Sequence, residues 1–170
     1  MTNDMYDSVV VGGGPAGATA AFDLARLGRR VLLLDRAGRI KPCGGAIPPR
    51  LLRDFEIPDV LLVAKVRSAR IVSPTDRRVV MPIEDGFVGM VDRDVFDEWL
   101  RVRAADGGVE RRTGVYESLS RDDDGDVTVT YRTRDGRHEA VRTHAVIGAD
   151  GARSEVGRQC IPGAERVPCV

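Results

Sequence analysis

The apolar residues near the start of the chain form two short runs separated by an amphipathic segment. Tyr6 to Val11 and Val31 to Leu34 are rich in Val and Leu, which is typical of buried β-strands. Between them, Pro15 to Leu27 has the spacing of a helix, with Gly28 as a stop. Strands this apolar favour a parallel sheet covered on both faces, so the pattern predicts a strand–helix–strand unit.

The next part of the chain predicts an inserted antiparallel sheet. Arg36 to Pro58 is rich in Gly and Pro and therefore irregular. We expect one short helix and then three strands, at Arg50 to Phe55, Val66 to Val72, Arg77 to Ile83, and Phe87 to Val91. Residues 60–92 are thus assigned to a substrate-side sheet inserted in a single domain that spans residues 1–170.

The remainder predicts a helix, a hairpin and a last strand. Arg93 to Ala105 is amphipathic. Val127 to Tyr131 and His138 to Thr143 flank an Asp-Gly pair, which is a strong hairpin signal. Ala145 to Ala149 reads as a separate strand, with a helix starting near Ser154. The fold class predicted is α/β: a Rossmann-like parallel sheet with an interleaved antiparallel sheet.

Composition excludes several classes of function. The chain has 170 residues and equal numbers of basic and acidic residues, 26 of each, so no nucleic-acid partner is expected. No apolar run reaches the ~20 residues of a membrane span, and no basic region precedes an apolar segment as in a signal peptide, so we expect a cytoplasmic protein. The three cysteines lack metal-ligand spacing, and no metal is expected.

A dinucleotide fingerprint follows the first strand. It reads Val9-Val10-Val11-Gly12-Gly13-Gly14-Pro15-Ala16-Gly17. In this motif Gly12 permits the tight turn, Gly14 lets a pyrophosphate approach the backbone, and Gly17 lets the helix pack closely. Asp35 ends the second strand, where a carboxylate can bind ribose hydroxyls and would repel a 2′-phosphate. The motif predicts FAD or NAD binding at the helix amino terminus.

Four segments together resemble a known flavoprotein family. Gly12 to Gly17, and Gly148 to Ser154 with its Asp150-Gly151 pair, resemble the FAD-binding motifs of the aromatic-hydroxylase-like flavoproteins. Lys41 to Pro48, which reads KPCGGAIP, and Gly89 to Asp97 are similar to the geranylgeranyl reductases of chlorophyll and bacteriochlorophyll biosynthesis.

The resemblance implies a reaction and its partners. It implies NADPH-dependent reduction of the double bonds of a geranylgeranyl chain to a phytyl chain, with FAD supplying a hydride from N5. The substrate would be a prenylated tetrapyrrole or a prenyl diphosphate. Such an apolar substrate suggests peripheral contact with a membrane, although no amphipathic anchor is evident.

The resemblance also implies residue roles. The ADP half of FAD would be held by Gly12, Gly14, Pro15, Ala16, Gly17, Asp35 and Arg36. Arg93 would lie near the flavin, and Asp150 and Gly151 near the pyrophosphate and ribityl chain. Cys43, Gly44 and Gly45 would form the loop beside the isoalloxazine ring. In the sequence only Lys41 lies where it would lower the pKa of Cys43, so we expect a positional and not a nucleophilic role.

Two alternatives stay open. One is a related FAD-dependent aromatic monooxygenase, which would share the fingerprint and the Asp-Gly pair. The other is a non-catalytic dinucleotide-binding module, because the family's later Gly-Asp motif is absent and the carboxy-terminal half is expected to be missing. Structural roles are expected for His138, His144 and Trp99, and a solvated turn for Asp122 to Asp126.

Overall fold

The computed structural model describes residues 5–36, 43–84 and 86–164, which form two compact units. The first unit comprises the described residues up to 36 and those from 99 onwards. The second comprises the described residues from 43 to 98. Each unit has its own sheets, and the helix α3 (Arg93–Asp106) belongs partly to each.

A six-stranded mixed sheet forms the centre of the first unit. Its strands are β1 (Met5–Val11), β2 (Val31–Asp35), β8 (Glu110–Thr113), β9 (Val115–Arg121), β10 (Val127–Arg132) and β11 (His138–Gly148). Their order is β8-β2-β1-β11-β10-β9, with parallel pairing from β8 to β11 and antiparallel pairing beyond it. The helix α1 (Pro15–Arg26) connects β1 to β2. The predicted α/β class is confirmed.

Strands β1 and β2 are buried on both faces. Residues 31–34 of β2 are each at most 1% exposed, and successive side chains of a strand point to opposite faces. α1 buries Gly17, Ala18 and Ala21. The core cluster contains residues of β1, β2, β9, β10 and β11 together with Val156 of the short helix α4 (Glu155–Cys160). The continuous apolar runs of β1 and β2 follow from this two-sided burial.

The separate last strand expected at Ala145 to Ala149 is wrong in its bounds. β11 is one strand of eleven residues: its first part pairs antiparallel with β10 and its second part parallel with β1. Thr143 lies opposite both Tyr6 and Val127. Arg142 and His144 are exposed and each pairs with Asp126, whereas Thr143 between them is buried. The hairpin between β10 and β11 is confirmed, and Gly136 has a positive φ of 85°.

Sequence patterns missed β8 and β9. Both are rich in charged or polar residues, and only Tyr116 of β9 is buried. They form the two edges of the sheet. Many of their side chains face water there, so the alternation of apolar and polar residues that marks a strand is weak. Residues 122–126 form the turn between β9 and β10, with Asp126 N donating to Asp122 Oδ1 at 2.8 Å.

The second unit contains two small antiparallel sheets. The elements are β3 (Ala46–Ile47), α2 (Pro49–Asp54), a 3₁₀ turn (Asp59–Leu61), β4 (Leu62–Val66), β5 (Ser68–Val72), β6 (Arg78–Pro82) and β7 (Val88–Val91). One sheet has the order β3-β7-β4 and the other is the ribbon of β5 and β6. β5 confirms a strand within the expected Val66 to Val72, but Val66 itself ends β4, which the sequence patterns missed: the chain changes sheets at Arg67.

No helix in the described part of the chain is both long enough and apolar enough to cross a membrane.

We predict that Leu33→Ala lowers the free energy of unfolding by about 2–5 kcal/mol, because it leaves a cavity in a fully buried strand. Leu27→Ala is the matched control: this leucine is 76% exposed, and its loss is expected to cost less than about 0.5 kcal/mol. Urea denaturation of both variants measures the difference. Equal losses would contradict the assignment of β2 to the core.

Candidate functional site

The glycine turn after β1 brings three backbone segments into contact. Gly12 has a φ of 107°, and a Cβ there would overlap the carbonyl oxygen of Ala149. A Cβ on Gly17 would overlap the carbonyl oxygen of Gly12. Gly12 N donates to Leu34 O at 2.8 Å, and Ala149 N donates to Val11 O at 2.7 Å. The turn, the first turn of α1 and the end of β11 can pack this closely only because glycine has no side chain.

Gly14 differs from its neighbours because it faces open space. It is the N-cap of α1, Pro15 follows at the first helical position, and no described side chain caps this end. No described atom lies within 4 Å of the place where a Cβ of Gly14 would stand. The first N–H groups of a helix lack partners within it and attract anions. The exposed Ala16 also lies in this first turn. The space therefore fits a phosphate group held by backbone donors.

Asp35 lies beside this turn at the end of β2. A Cβ on Gly13 would be 2.8 Å from the Asp35 Cβ and Cγ, so the carboxylate packs directly over the glycine. Arg101 of α3 donates from Nη1 to Gly13 O at 2.9 Å and lies 3.8 Å from Asp35 Oδ2. Arg36, the next residue after Asp35, is exposed. A carboxylate at this place suits the hydroxyls of a ribose.

Asp150 and Gly151 lie at the same end of the sheet as the glycine turn. A Cβ on Gly12 would come within 2.9 Å of the Asp150 Cα, and Gly151 has a φ of 91°. The Asp150 carboxylate accepts hydrogen bonds from Ser154 Oγ and from the backbone N of Glu155, at 2.5 and 2.6 Å. Its oxygens thus hold the amino terminus of α4.

In the second unit, Arg93 and Asp97 form a largely buried ion pair at the start of α3. Arg93 donates from Nε and Nη2 to the two carboxylate oxygens of Asp97, each at 2.8 Å. The side chains are only 14% and 11% exposed. A bidentate pair of this kind fixes both side chains. Arg93 is therefore not an ordinary solvent-exposed residue of the first helical turn.

Cys43 joins this pair and forms what we call the thiol cluster: Cys43, Arg93 and Asp97. The backbone N–H of Gly45 and then the Arg93 side chain donate hydrogen bonds to the Cys43 sulfur, and both hold the pKa of this exposed thiol below its ordinary value. The expectation that only Lys41 would lower this pKa is wrong, since Arg93 is brought in by the fold. Lys41 itself lies outside the described residues.

The two glycines after Cys43 differ in their surroundings. A Cβ on Gly45 would overlap the carbonyl oxygen of Val91, and Gly45 has a φ of 68°. Val91 N donates to Gly45 O at 2.9 Å, which ties the loop to β7. Gly44 has no described atom within 4 Å of its Cβ position. Only Gly45 is thus required by packing.

Sequence reasoning missed three residues of these groups. Gly13 occupies a variable position of the fingerprint, yet it makes room for Asp35. Asp97 follows Arg93 by four residues, a helical spacing that could have indicated the pair. Arg101 carries no such signal, because its partners are far away in the sequence.

Comparison with known proteins gives the family. Residues 6–168 match the pyridine nucleotide-disulphide oxidoreductase family. The chain belongs to this family. A geranylgeranyl diphosphate reductase of Rhodobacter capsulatus is 60% identical over 166 residues, which is 97% of this chain and 42% of that protein. The resemblance to geranylgeranyl reductases is confirmed, and the chain spans about two-fifths of the length of this curated relative.

Two solved structures share the fold. A geranylgeranyl bacteriochlorophyll reductase-like protein of Thermoplasma acidophilum has a TM-score of 0.81 at 30% identity, covering 91% of this chain and 41% of that chain. A ternary complex of aklavinone-11 hydroxylase with FAD and aklavinone has a TM-score of 0.70 at 27% identity, covering 90% and 34%. The Rossmann-like fold predicted for this oxidoreductase family member is confirmed.

We predict that Cys43 is alkylated by iodoacetamide with a pH midpoint below that of an ordinary cysteine, because the thiolate is the reacting form. Replacing Arg93 by Gln should move this midpoint to higher pH, since it removes a group that lowers the pKa. Rates are measured by mass spectrometry in a Cys160→Ser, Cys169→Ser background.

Arg50→Gln is the matched control for this measurement. Arg50 pairs with Asp54 at the same four-residue spacing, but the pair is exposed and on another helix. Its loss should leave the midpoint unchanged. A midpoint that does not move in Arg93→Gln would show that the guanidinium does not stabilise the thiolate.

Proposed function

We propose that this chain is the FAD-binding part of an NADPH-using reductase that saturates geranylgeranyl double bonds. The observation that carries the cofactor assignment is the open space at Gly14, at a helix amino terminus beside Asp35 that no described side chain caps. The identity of 60% with a protein named geranylgeranyl diphosphate reductase supports the substrate class.

The residues present fit the ADP half of FAD. The backbone of Gly14 and the first turn of α1 would bind the pyrophosphate, because their N–H groups point out of the helix. Asp35 would accept hydrogen bonds from the ribose hydroxyls. Its carboxylate disfavours a 2′-phosphate, so NADPH is proposed to act from elsewhere as reductant and not to occupy this site.

When bound, FAD would supply the redox chemistry, a hydride for one carbon of the double bond, while a proton completes the other. Each reduction adds two hydrogens to the prenyl chain and oxidises one NADPH to NADP⁺. The contribution of this chain is binding and orientation. That Arg93 and the loop of Cys43, Gly44 and Gly45 lie near the flavin stays a prediction of the family resemblance.

The substrate proposed is a prenyl diphosphate or a geranylgeranylated tetrapyrrole. Both carry the same isoprenoid chain, and the chemistry at the double bond is the same for the two. Peripheral contact with a membrane, expected for so apolar a substrate, is part of the proposal. The aromatic monooxygenase alternative is favoured by one observation, the fold shared with aklavinone-11 hydroxylase.

We expect the purified chain to bind FAD saturably, followed by flavin absorbance and Trp99 fluorescence. Gly14→Val should weaken binding at least about a hundredfold, because its side chain fills the space meant for phosphate. Its φ of −73° suits valine, so the unliganded variant should melt like the wild type. Wild-type chain that is folded but binds no FAD would contradict the cofactor assignment.

The reaction can be tested in a chimera, because the chain aligns with 42% of the length of the Rhodobacter capsulatus reductase. We expect that reductase, with its matching 166 residues replaced by this chain, to reduce geranylgeranyl diphosphate with NADPH without oxygen. The same chimera with Gly14→Val should be inactive. A chimera that only consumes oxygen and reduces no double bond would favour the monooxygenase alternative.

A further inference from the structure

We propose that Arg101 is a positioning residue of the dinucleotide site, which holds the glycine turn and Asp35 in the arrangement that receives the ADP half of the cofactor. The inference rests on the proposed function, since it adds a residue to that same site. It starts from the two contacts of Arg101 Nη1: 2.9 Å to Gly13 O and 3.8 Å to Asp35 Oδ2.

The glycine turn needs such a contact because it has no side chains of its own. Glycine loses more conformational freedom on folding than any other residue. Arg101 lies 88 residues away from Gly13 in the sequence and belongs to α3, which is not part of the β1–α1–β2 motif. The contact therefore ties the turn to a second element, which the local fingerprint alone does not do.

Holding the Gly13 carbonyl also orients a donor for the ligand. The peptide between Gly13 and Gly14 is planar and trans, so its N–H points opposite to its carbonyl oxygen. With the oxygen directed at Arg101, the N–H of Gly14 is directed away from it. Gly14 is the residue that faces the open space at the start of α1. Arg101 thus fixes a backbone donor that it does not touch.

The positive charge of Arg101 also offsets the negative charge of Asp35 in the site. Asp35 is useful for binding ribose hydroxyls, but its negative charge repels the nearby pyrophosphate. The Arg101 and Asp35 side chains are only 21% and 27% exposed, so water screens the pair incompletely. The guanidinium offsets the carboxylate charge while it donates to Gly13. A lysine ammonium carries the same charge as a compact point on a differently shaped stem, so it reproduces this placement only in part.

Arg103, a neighbouring arginine on the same helix, has a packing role that differs from the role proposed for Arg101. Arg103 stacks on the rings of Phe22 and Trp99, with its guanidinium carbon 4.6 and 4.9 Å from the ring centroids. The contact with Phe22 joins α3 to α1, and the contact with Trp99 lies within α3. The contacts of Arg101 lead instead to Gly13 and Asp35, which lie where the fingerprint places the ligand.

The test compares Arg101→Gln and Arg101→Lys with the wild type by calorimetric titration of FAD and of ADP. Both ligands should bind about tenfold more weakly to Arg101→Gln, because they share the ADP half. Arg101→Lys should recover only part of the affinity. Arg29→Gln is the matched control: it removes a cation 3.8 Å from Asp7, outside the site, and should leave both affinities unchanged.

A second measurement needs no bound cofactor. Amide hydrogen exchange at residues 12–14 of the unliganded chain should be faster in Arg101→Gln than in wild type or Arg29→Gln, while the melting temperature changes little. Unchanged exchange, or unchanged affinity in Arg101→Gln when the wild type binds, would overturn the role of Arg101. Wild-type chain that binds neither ligand would contradict the proposed function, and exchange would still decide whether Arg101 holds the turn.

Discussion

The contact on which the first unit depends is the meeting of three backbones at Gly12, Gly17 and Ala149. At this point the end of β1, the first turn of α1 and the end of β11 approach so closely that a Cβ on Gly12 or Gly17 would overlap a carbonyl oxygen. Close packing of this kind tolerates no added methyl group without movement of the backbone. The position of α1 over the sheet, and hence the direction of its amino terminus, follows from this contact.

The same geometry explains why the candidate site is built largely from backbone. The α1 terminus offers N–H groups to an anion without any side chain, and Gly14 leaves the space open. Side chains enter only at the margin, where Asp35 and Arg101 lie beside Gly13. An anion site made from helix N–H groups is held by the fold itself. The candidate ligand site and the packing of β1, α1 and β11 are therefore parts of one arrangement.

The thiol cluster in the second unit has a different physical basis. Its geometry comes from a bidentate ion pair between Arg93 and Asp97, which are both largely buried and thus poorly screened by solvent. Cys43 is exposed but receives hydrogen bonds from Gly45 and Arg93 that favour its thiolate. The loop is in turn tied to β7 through Gly45 and Val91. The cluster thus lowers the pKa of Cys43 through groups that its sequence neighbours did not indicate.

The sequence by itself determined the β1–α1–β2 unit, the glycine turn, Asp35 and the β10–β11 hairpin. Each depends on spacing within about thirty residues, where the periodicity of apolar residues and the positions of glycines predict the local structure directly. Only the tertiary structure decided that β11 pairs with two neighbours, that Arg93 lowers the pKa of Cys43, and that Arg101 reaches Gly13. These features join residues far apart in the chain. In the sequence Arg93 and Arg101 resemble solvated surface residues, and only the fold brings them to their partners and largely buries them.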